Sequence, residues 1–110
     1  DYSVSLLKKE STKIFKDVSN TKILSLDTLE GIDRIKDEKE VILGLSNSNL
    51  RINHTQKKAI MNMVKDLEKL EPYLEKDSYL LSSDEVNDIK ITATDLSINA
   101  NTYLNQRFKD

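Results

Sequence analysis

Apolar residues recur at alternating intervals of three and four positions towards the end of the chain. This spacing keeps apolar side chains on one face of an α-helix, whereas a half-buried strand needs a spacing of two. Only two glycines and one proline occur among the 110 residues, too few for the many turns of an all-β domain. The sequence therefore predicts an all-α chain, and its clearest apolar stripe consists of Val86, Ile89, Ala93, Leu96, Ala100 and Tyr103.

Three further stripes predict three further helices. The helices are expected at about residues 3–19, 27–45, 54–75 and 83–109. Four amphipathic helices with short loops bury their stripes best by packing around one core. We therefore predict an antiparallel four-helix bundle, formed by one domain over residues 1–110. The other stripes are Val4, Leu7, Ser11, Ile14 and Val18; Ile32, Ile35, Ile42 and Leu45; and Ile60, Met63, Leu67, Leu70 and Leu74.

Capping boxes are predicted at the start of three helices. In a capping box the first side chain accepts a backbone N–H three residues on, and the side chain there accepts the N–H of the first residue. The segments 27–30, 53–56 and 82–85 have the residue types for this exchange. They support the predicted starts of the second, third and fourth helices.

The second helix is expected to be the softest element. Gly31 costs about 1 kcal/mol relative to alanine within a helix, and we interpret it as a tolerated weakness rather than a point of close helix approach. Lys39 interrupts the apolar stripe, and the charged run 36–40 is interpreted as a solvated face. We expect this helix, or the preceding loop 20–26, to open first, although the apolar residues of the loop should pack on the bundle.

No catalytic, cofactor-binding or metal-binding residue is predicted. His54 is the one histidine and no cysteine occurs, so the paired histidines of di-metal bundles and all thiol chemistry are excluded. His54 is expected to be an exposed residue in the first turn of its helix. The acidic residues alternate with lysines, as in the segment 65–69, which predicts a solvent-exposed surface with salt bridges. We therefore expect a protein that is not an enzyme.

Charge and hydropathy restrict the class of partner. With 17 basic and 19 acidic residues the net charge is −2, and no segment has the concentrated positive charge that nucleic-acid binding requires. No stretch approaches the roughly 18 apolar residues of a membrane span. Because the first residue is Asp1 rather than methionine, the chain is interpreted as a fragment of a longer protein. Any membrane anchor is expected outside this sequence.

An apolar cluster in the third connection is the candidate partner contact. Tyr79, Leu80 and Leu81 follow one another there, and Tyr73 is expected nearby. One interpretation is that the cluster covers the end of the core. The other is that it forms an exposed patch that contacts a partner protein. The sequence alone leaves both open.

Two hypotheses for function follow. The first is a non-enzymatic protein-interaction domain of an exported or surface-anchored bacterial protein, which the absence of cysteine favours. The alternative is an extracytoplasmic ligand-sensing domain of a membrane receptor, such as a sensor kinase or a chemoreceptor. An even number of helices places both chain ends at one end of the bundle, as insertion between two membrane helices requires.

Overall fold

A computed structural model describes residues 2–47 and 51–106, and these residues form helices and no extended strand. α1, the α2–α3 pair, α4 and α5 pack around one core, so the predicted all-α helical bundle is confirmed. Within the described residues the α-helices are α1 (Tyr2–Thr21), α2 (Leu26–Lys36), α3 (Glu38–Asn47), α4 (His54–Leu70) and α5 (Ser83–Gln106), with a 3-10 helix, Glu71–Glu75, after α4.

α5 lies between α1 and α4 and runs antiparallel to both. Lys8 near the start of α1 donates to Asn101 near the end of α5 at 2.9 Å. Gln56 in the first turn of α4 donates to the carbonyl oxygen of Tyr103 at 3.2 Å. The predicted stripe of α5 is buried along its whole length, because each flank of the helix faces a neighbour.

The predicted second helix, 27–45, is interrupted at Asp37 and forms the separate helices α2 and α3. α2 packs mainly on α1, whereas α3 packs mainly on α4. The isoleucines of one straight helix face in one direction, so it could not bury Ile32 and Ile42 against these two different neighbours. The break lets each half turn its buried face to its own partner, and both side chains are at most 1% exposed.

Pro72 ends the third predicted helix earlier than the apolar stripe indicates. α4 ends at Leu70 instead of near residue 75, and the chain continues as the 3-10 helix. A proline in a helix lacks the N–H and its ring clashes with the preceding turn, which favours this tighter continuation. Of the fourth predicted helix, 83–109, residues 107–109 lie outside the described residues. The same is true of residues 48–50, between the second and third predicted helices.

The capping boxes of α4 and α5 are confirmed. Asn53 Oδ1 accepts the N–H of Gln56 at 2.8 Å, and Gln56 Oε1 accepts the N–H of Asn53 at 3.2 Å. Ser82 Oγ accepts the N–H of Glu85 at 3.1 Å, and Glu85 Oε1 accepts the N–H of Ser82 at 2.9 Å. Both starts are therefore determined by interactions within four consecutive residues.

The predicted capping box at 27–30 is wrong. α2 begins at Leu26, and its N-cap is Ser25, whose Oγ accepts the N–H of Thr28 at 3.2 Å. Serine is as good an N-cap as aspartate, so local preference does not separate the two starts. Asp27 instead lies in the first turn, where its charge is favourable near the positive helix end.

Gly31 is a point of close approach between α2 and α1, so the interpretation as a tolerated weakness is wrong. A Cβ at this position would lie 3.3 Å from Glu10 Oε1 and 3.3 Å from Ile14 Cγ1. The buried Glu10 carboxylate accepts a hydrogen bond from Arg34 at 3.0 Å, which keeps it in place beside the glycine. Glycine leaves space here for both the ion pair and the core isoleucine.

That the second predicted helix opens more readily than the others remains a prediction, which we now restrict to α3. Ile42 is its one buried side chain, whereas α5 buries a complete stripe. We expect the amides of α3 to exchange with deuterium at least about tenfold faster than those in the middle of α5, because local opening exposes less apolar surface there. Native-state hydrogen exchange followed by NMR measures this ratio. Equal protection of the two helices would contradict it.

Candidate functional site

The candidate site is the end of the bundle at which α1 leads into α2 and the 3-10 helix leads into α5. We call it the distal tip and define it as residues 22–26 and 76–82. The described ends of the chain, at Tyr2 and Gln106, lie at the opposite end, because α1 and α5 are antiparallel. The distal tip is therefore the part of the bundle furthest from both of them.

The first segment of the tip turns sharply after α1. Lys22 has a φ of 55°, in the left-handed region that costs a residue with a side chain about 1 kcal/mol. Its N–H still bonds to the carbonyl oxygen of Val18 at 2.8 Å, and this closes the helix. The Thr21 hydroxyl donates to the carbonyl oxygen of Asp17 at 2.8 Å and accepts the N–H of Ile23 at 3.4 Å. These bonds stabilise the turn.

The second segment is held by polar contacts with the start of α5. Lys76 Nζ lies 3.2 Å from Glu85 Oε2, and Ser78 Oγ accepts the N–H of Leu80 at 3.0 Å. The backbone N–H of Ser82, and next the Lys76 ammonium, lower the pKa of the Glu85 carboxyl. Glu85 therefore stays charged in both its capping contact and its ion pair.

Backbone contacts join the two segments of the tip. The N–H of Leu24 donates to the carbonyl oxygen of Tyr79 at 2.7 Å, and Ile23 forms an isolated antiparallel bridge with Leu80. Leu24 is buried beneath this contact, with 3% of its surface exposed. The two loops therefore support each other, although neither belongs to a helix or a sheet.

Three large apolar side chains on this supported backbone face solvent. Leu26 is 70% exposed, Tyr79 65% and Leu80 63%. Single exposed apolar residues are ordinary on protein surfaces, but three at one end of a small domain form a patch. Because their backbone is already held, contact with a partner would cost little conformational entropy.

The structure separates the four residues of the predicted contact. Tyr79 and Leu80 are exposed at the distal tip, whereas Leu81 packs against the core. Tyr73 is partly buried in the 3-10 helix, and its hydroxyl donates to Asp88 Oδ2 at 2.7 Å. Burial, and next Asp88, raise the pKa of the Tyr73 phenol, so it remains a donor. Leu81 and Tyr73 therefore follow the first interpretation and pack on the core, whereas Tyr79 and Leu80 are exposed and their contact with a partner remains a prediction.

Leu26 belongs to the exposed patch and was not predicted there. The sequence led us to expect the whole 20–26 loop to pack on the bundle, and this is right for Leu24 and wrong for Leu26. The Ser25 cap places Leu26 in the first turn of α2, facing away from the core. Because Ser25 and Asp27 are equally good N-caps, no local signal in the sequence indicated this orientation.

A second feature is the buried carboxyl group of Asp66 between α4 and α5. The sequence predicted that the segment 65–69 is an exposed salt-bridged surface, and for Asp66 this is wrong, because only 3% of its surface is exposed. Glu68 does follow the prediction and lies 3.6 Å from Lys39 of α3. Asp66 immediately precedes Leu67 on the flank of the apolar stripe, and α5 covers that flank.

Asp66 is held in its neutral form at neutral pH. Burial, and next the neighbouring Asp95, raise the pKa of its carboxyl to about 8, with Lys69 acting in the opposite direction. Its Oδ2 atom is buried and has no hydrogen-bond partner within the described residues. The pair also lines a small cavity of about 270 Å³, together with Asn62, Lys65, Lys69, Ile91 and Thr92. The two carboxyls therefore form an unfavourable pair unless one of them retains a proton.

Comparisons with other proteins add no family. No protein-family model, curated protein sequence or solved structure matches the chain significantly. Across residues 2–47 and 51–106, no group of three or more potential metal-ligating side chains comes together. In the same part of the chain, no helix has the length and apolar character of a membrane span. The proposals below therefore rest on the geometry of the described residues alone.

Proposed function

We propose that this chain is a non-enzymatic protein-interaction domain of an exported or surface-anchored bacterial protein, and that it contacts its partner through the distal tip. The observation that supports the proposal is the exposure of Leu26, Tyr79 and Leu80 on two loops that hold each other in place. A partner that covers these side chains gains apolar burial at little ordering cost.

The composition of the tip suits a protein surface. Tyrosine is enriched among residues that dominate binding energy, because its ring buries a large area and its hydroxyl finds a polar partner. Polar groups surround the patch, among them Lys22 and Asp77, which are exposed. An apolar centre with a polar rim is the usual anatomy of a protein interface. The proposed partner is therefore a protein with a complementary apolar pocket.

The test places a photo-reactive amino acid at Leu80 in the full-length protein in its own cells. Met61 is the matched control position, since it is 49% exposed on α4, away from the tip. We expect a defined protein adduct from position 80 and none of that mass from position 61. Mass spectrometry of the adduct then identifies the partner.

Affinity for the identified partner provides the second measurement. We expect the double variant Leu26→Ser, Leu80→Ser to bind at least about tenfold more weakly, because each exposed leucine contributes roughly 1 to 2 kcal/mol when it is buried. Met61→Ser should bind as the unchanged protein does. If both variants bind with unchanged affinity, or if both positions give the same adduct, the tip is not the contact surface.

The alternative proposal is an extracytoplasmic sensing domain of a membrane receptor. It is supported by the position of Tyr2 and Gln106 at one end of the bundle. A ligand at the distal tip would then change the packing of α1 against α5, and this change would reach the opposite end. The sequence before Asp1 and after Asp110 discriminates the two proposals. Apolar spans on both sides favour a receptor, and a single signal or lipid-attachment segment before Asp1 favours the first proposal.

A further inference from the structure

α5 has a second apolar stripe on the face that points away from the core. Ile91 is 70% exposed and Ile98 58% exposed, and they are seven residues apart. Thr94 lies between them and is also exposed. This is the a, d, a spacing of a coiled-coil seam, with isoleucine at the two central a positions of α5 and with Asp84 and Asn105 at the outer two. The outer face of α5 thus has the pattern of a helix that packs against another helix.

Phe15 of α1 widens this outer face into a groove. The ring is 37% exposed and lines a surface cavity of about 450 Å³ together with Ile91, Thr94 and Ile98. Lys90 Nζ lies over the ring, 5.7 Å from its centroid. Lys16 lines the adjoining cavity of about 220 Å³ between α1 and α5. The α1 side of the groove is therefore basic.

The opposite side of the same stripe carries two aspartates of α5. Asp88 and Asp95 lie on the flank of α5 that faces α4, where Asp88 accepts the Tyr73 hydroxyl and Asp95 lies beside Asp66. Lys65 and Lys69 of α4 also line the cavity beside Asp95. Neither Lys90 nor Asp95 forms a salt bridge within the described residues. Lys90 lies over the Phe15 ring and Asp95 lies beside Asp66, but Asp95 is still exposed and Lys90 partly exposed, so that a partner helix can contact both.

We propose that the outer face of α5 binds a second copy of this chain, with the two α5 helices parallel. In a parallel pair about a two-fold axis, the g position of one helix contacts the e position of the next heptad in its partner. With Ile91 and Ile98 at a, Lys90 occupies g and Asp95 occupies e, five residues later. Lys90 of each copy then faces Asp95 of the other.

The charges select the parallel arrangement over the antiparallel one. In an antiparallel pair, the flank of α5 that carries Lys90 would face the same flank of the other copy. The flank that carries the aspartates would likewise face its own copy, so that Asp88 of one chain would lie opposite Asp95 of the other. Such like-charge contacts are unfavourable across a helix pair. The parallel arrangement instead creates the Lys90–Asp95 contact twice by symmetry. It also brings both distal tips to the same end of the dimer.

The apolar area sets the strength of this dimer. Three side chains, Phe15, Ile91 and Ile98, supply most of the exposed apolar surface of the groove. Stable interfaces bury about 800 Å² on each partner, and smaller ones are transient. The d positions on this face are Asn87, Thr94 and Asn101, which weaken the seam further. The dimer is therefore weak, with a dissociation constant of roughly 0.1 mM, the strength expected of transient contacts.

Sedimentation equilibrium of the protein from about 10 µM to about 1 mM covers this range of dissociation constant. We expect a monomer–dimer equilibrium, weakened at least about tenfold in Ile91→Ser, because that change removes apolar burial at two symmetric positions. Met61→Ser is the control and should leave the equilibrium unchanged. A protein that remains monomeric throughout the range overturns the proposal.

Charge exchange tests the predicted contact directly. Lys90→Asp alone and Asp95→Lys alone should each dimerise more weakly than the unchanged protein, since each places like charges opposite each other. An equimolar mixture of the two variants restores an opposite-charge contact at both symmetric positions and should recover dimers of mixed composition. If the mixture associates no better than either variant alone, the Lys90–Asp95 contact is wrong.

Orientation is tested with one introduced cysteine, because the chain has none of its own. In a parallel pair the two copies of the d position Asn87 lie opposite each other, so Asn87→Cys should form a disulfide-linked dimer under mild oxidation. Circular dichroism controls for the helical fold of each variant. A dimer in solution that Asn87→Cys fails to cross-link contradicts the parallel arrangement.

Discussion

Asp66→Asn is expected to raise the free energy of unfolding at pH 7 to 8 by roughly 3 kcal/mol, the order of magnitude that a pKa shift of several units implies. The native state buries this side chain to 3% exposure and raises the pKa of its carboxyl to about 8 from an ordinary 3.8. An asparagine is neutral at every pH, has nearly the same shape, and its amide can donate to Asp95. Urea unfolding followed by circular dichroism measures the difference.

The pH dependence follows from the sign of the same shift. Because the folded state binds the Asp66 proton more tightly than the unfolded chain does, folding benefits from this proton in acid. The contribution is complete below about pH 4 and is lost as pH rises towards 8, where the folded-state carboxyl ionises. We therefore expect the free energy of unfolding to fall as the pH rises from about 4 to about 8, because Asp66 loses its proton over this range. Asp66→Asn should remove most of that slope.

Asp77→Asn is the matched control for Asp66→Asn. Asp77 is an exposed aspartate in the loop before α5, so the same chemical change there should alter the free energy of unfolding by no more than about 0.5 kcal/mol. A wild-type stability that stays constant from pH 4 to pH 8 would contradict the raised pKa of Asp66. A loss of stability in Asp66→Asn at neutral pH would contradict it equally.

Leu96→Ala is expected to destabilise the fold by about 3 kcal/mol, within the range for truncating a buried leucine. Leu96 is fully buried in the middle of α5, the helix that packs on both α1 and α4. The truncation removes apolar burial and leaves a cavity that neighbouring helices cannot close without moving apart. Urea unfolding at micromolar protein concentration measures the loss on the monomer.

Ile98→Ala on the same helix is the control that separates the effect of burial on the free energy of unfolding from the effect of helix propensity. It removes a branched apolar side chain two residues away from Leu96, but one that is 58% exposed. Since alanine is also the better helix former, we expect a change within about 0.5 kcal/mol. Equal losses for the two variants would mean that α5 does not bury the face the structure assigns to the core.

The two proposed surfaces lie in different parts of the molecule. The distal tip adjoins the start of α5, whereas the outer stripe of Ile91 and Ile98 follows its middle. Substitutions at Leu80 and at Ile91 therefore separate partner binding from self-association. Parallel dimers would present two tips side by side, and a partner with two matching sites would then bind with increased avidity.

The candidate site was only partly predictable from the sequence, because the exposure of a side chain depends on which other segments of the fold cover it. Tyr79 and Leu80 were recognised from their apolar sequence in a loop, but the same signal selected Leu81, which packs on the core. Leu26 was expected to pack on the bundle with the rest of its loop and is exposed. The contact between residues 23–24 and 79–80 joins segments far apart in the chain. No local pattern indicates such a contact.

By itself, the sequence determined the features that arise within one or two helical turns. The alternating threes and fours predicted the helices and their buried stripes, and the residue pairs Asn53–Gln56 and Ser82–Glu85 predicted two helix starts. These interactions join residues at most four positions apart, so they are legible in any short stretch of sequence.

Only the tertiary structure decided which flank of each helix a neighbour covers. α5 covers Asp66 and thereby turns a residue of an apparently solvated segment into a buried acid. α1 approaches Gly31 and gives that glycine a packing role, while separate neighbours for α2 and α3 break one predicted helix at Asp37. The second stripe of α5 shows the same limit. Only the core-facing stripe was predicted from the sequence, and Ile91 and Ile98 were recognised as a second stripe because the packing of α1 and α4 leaves them exposed.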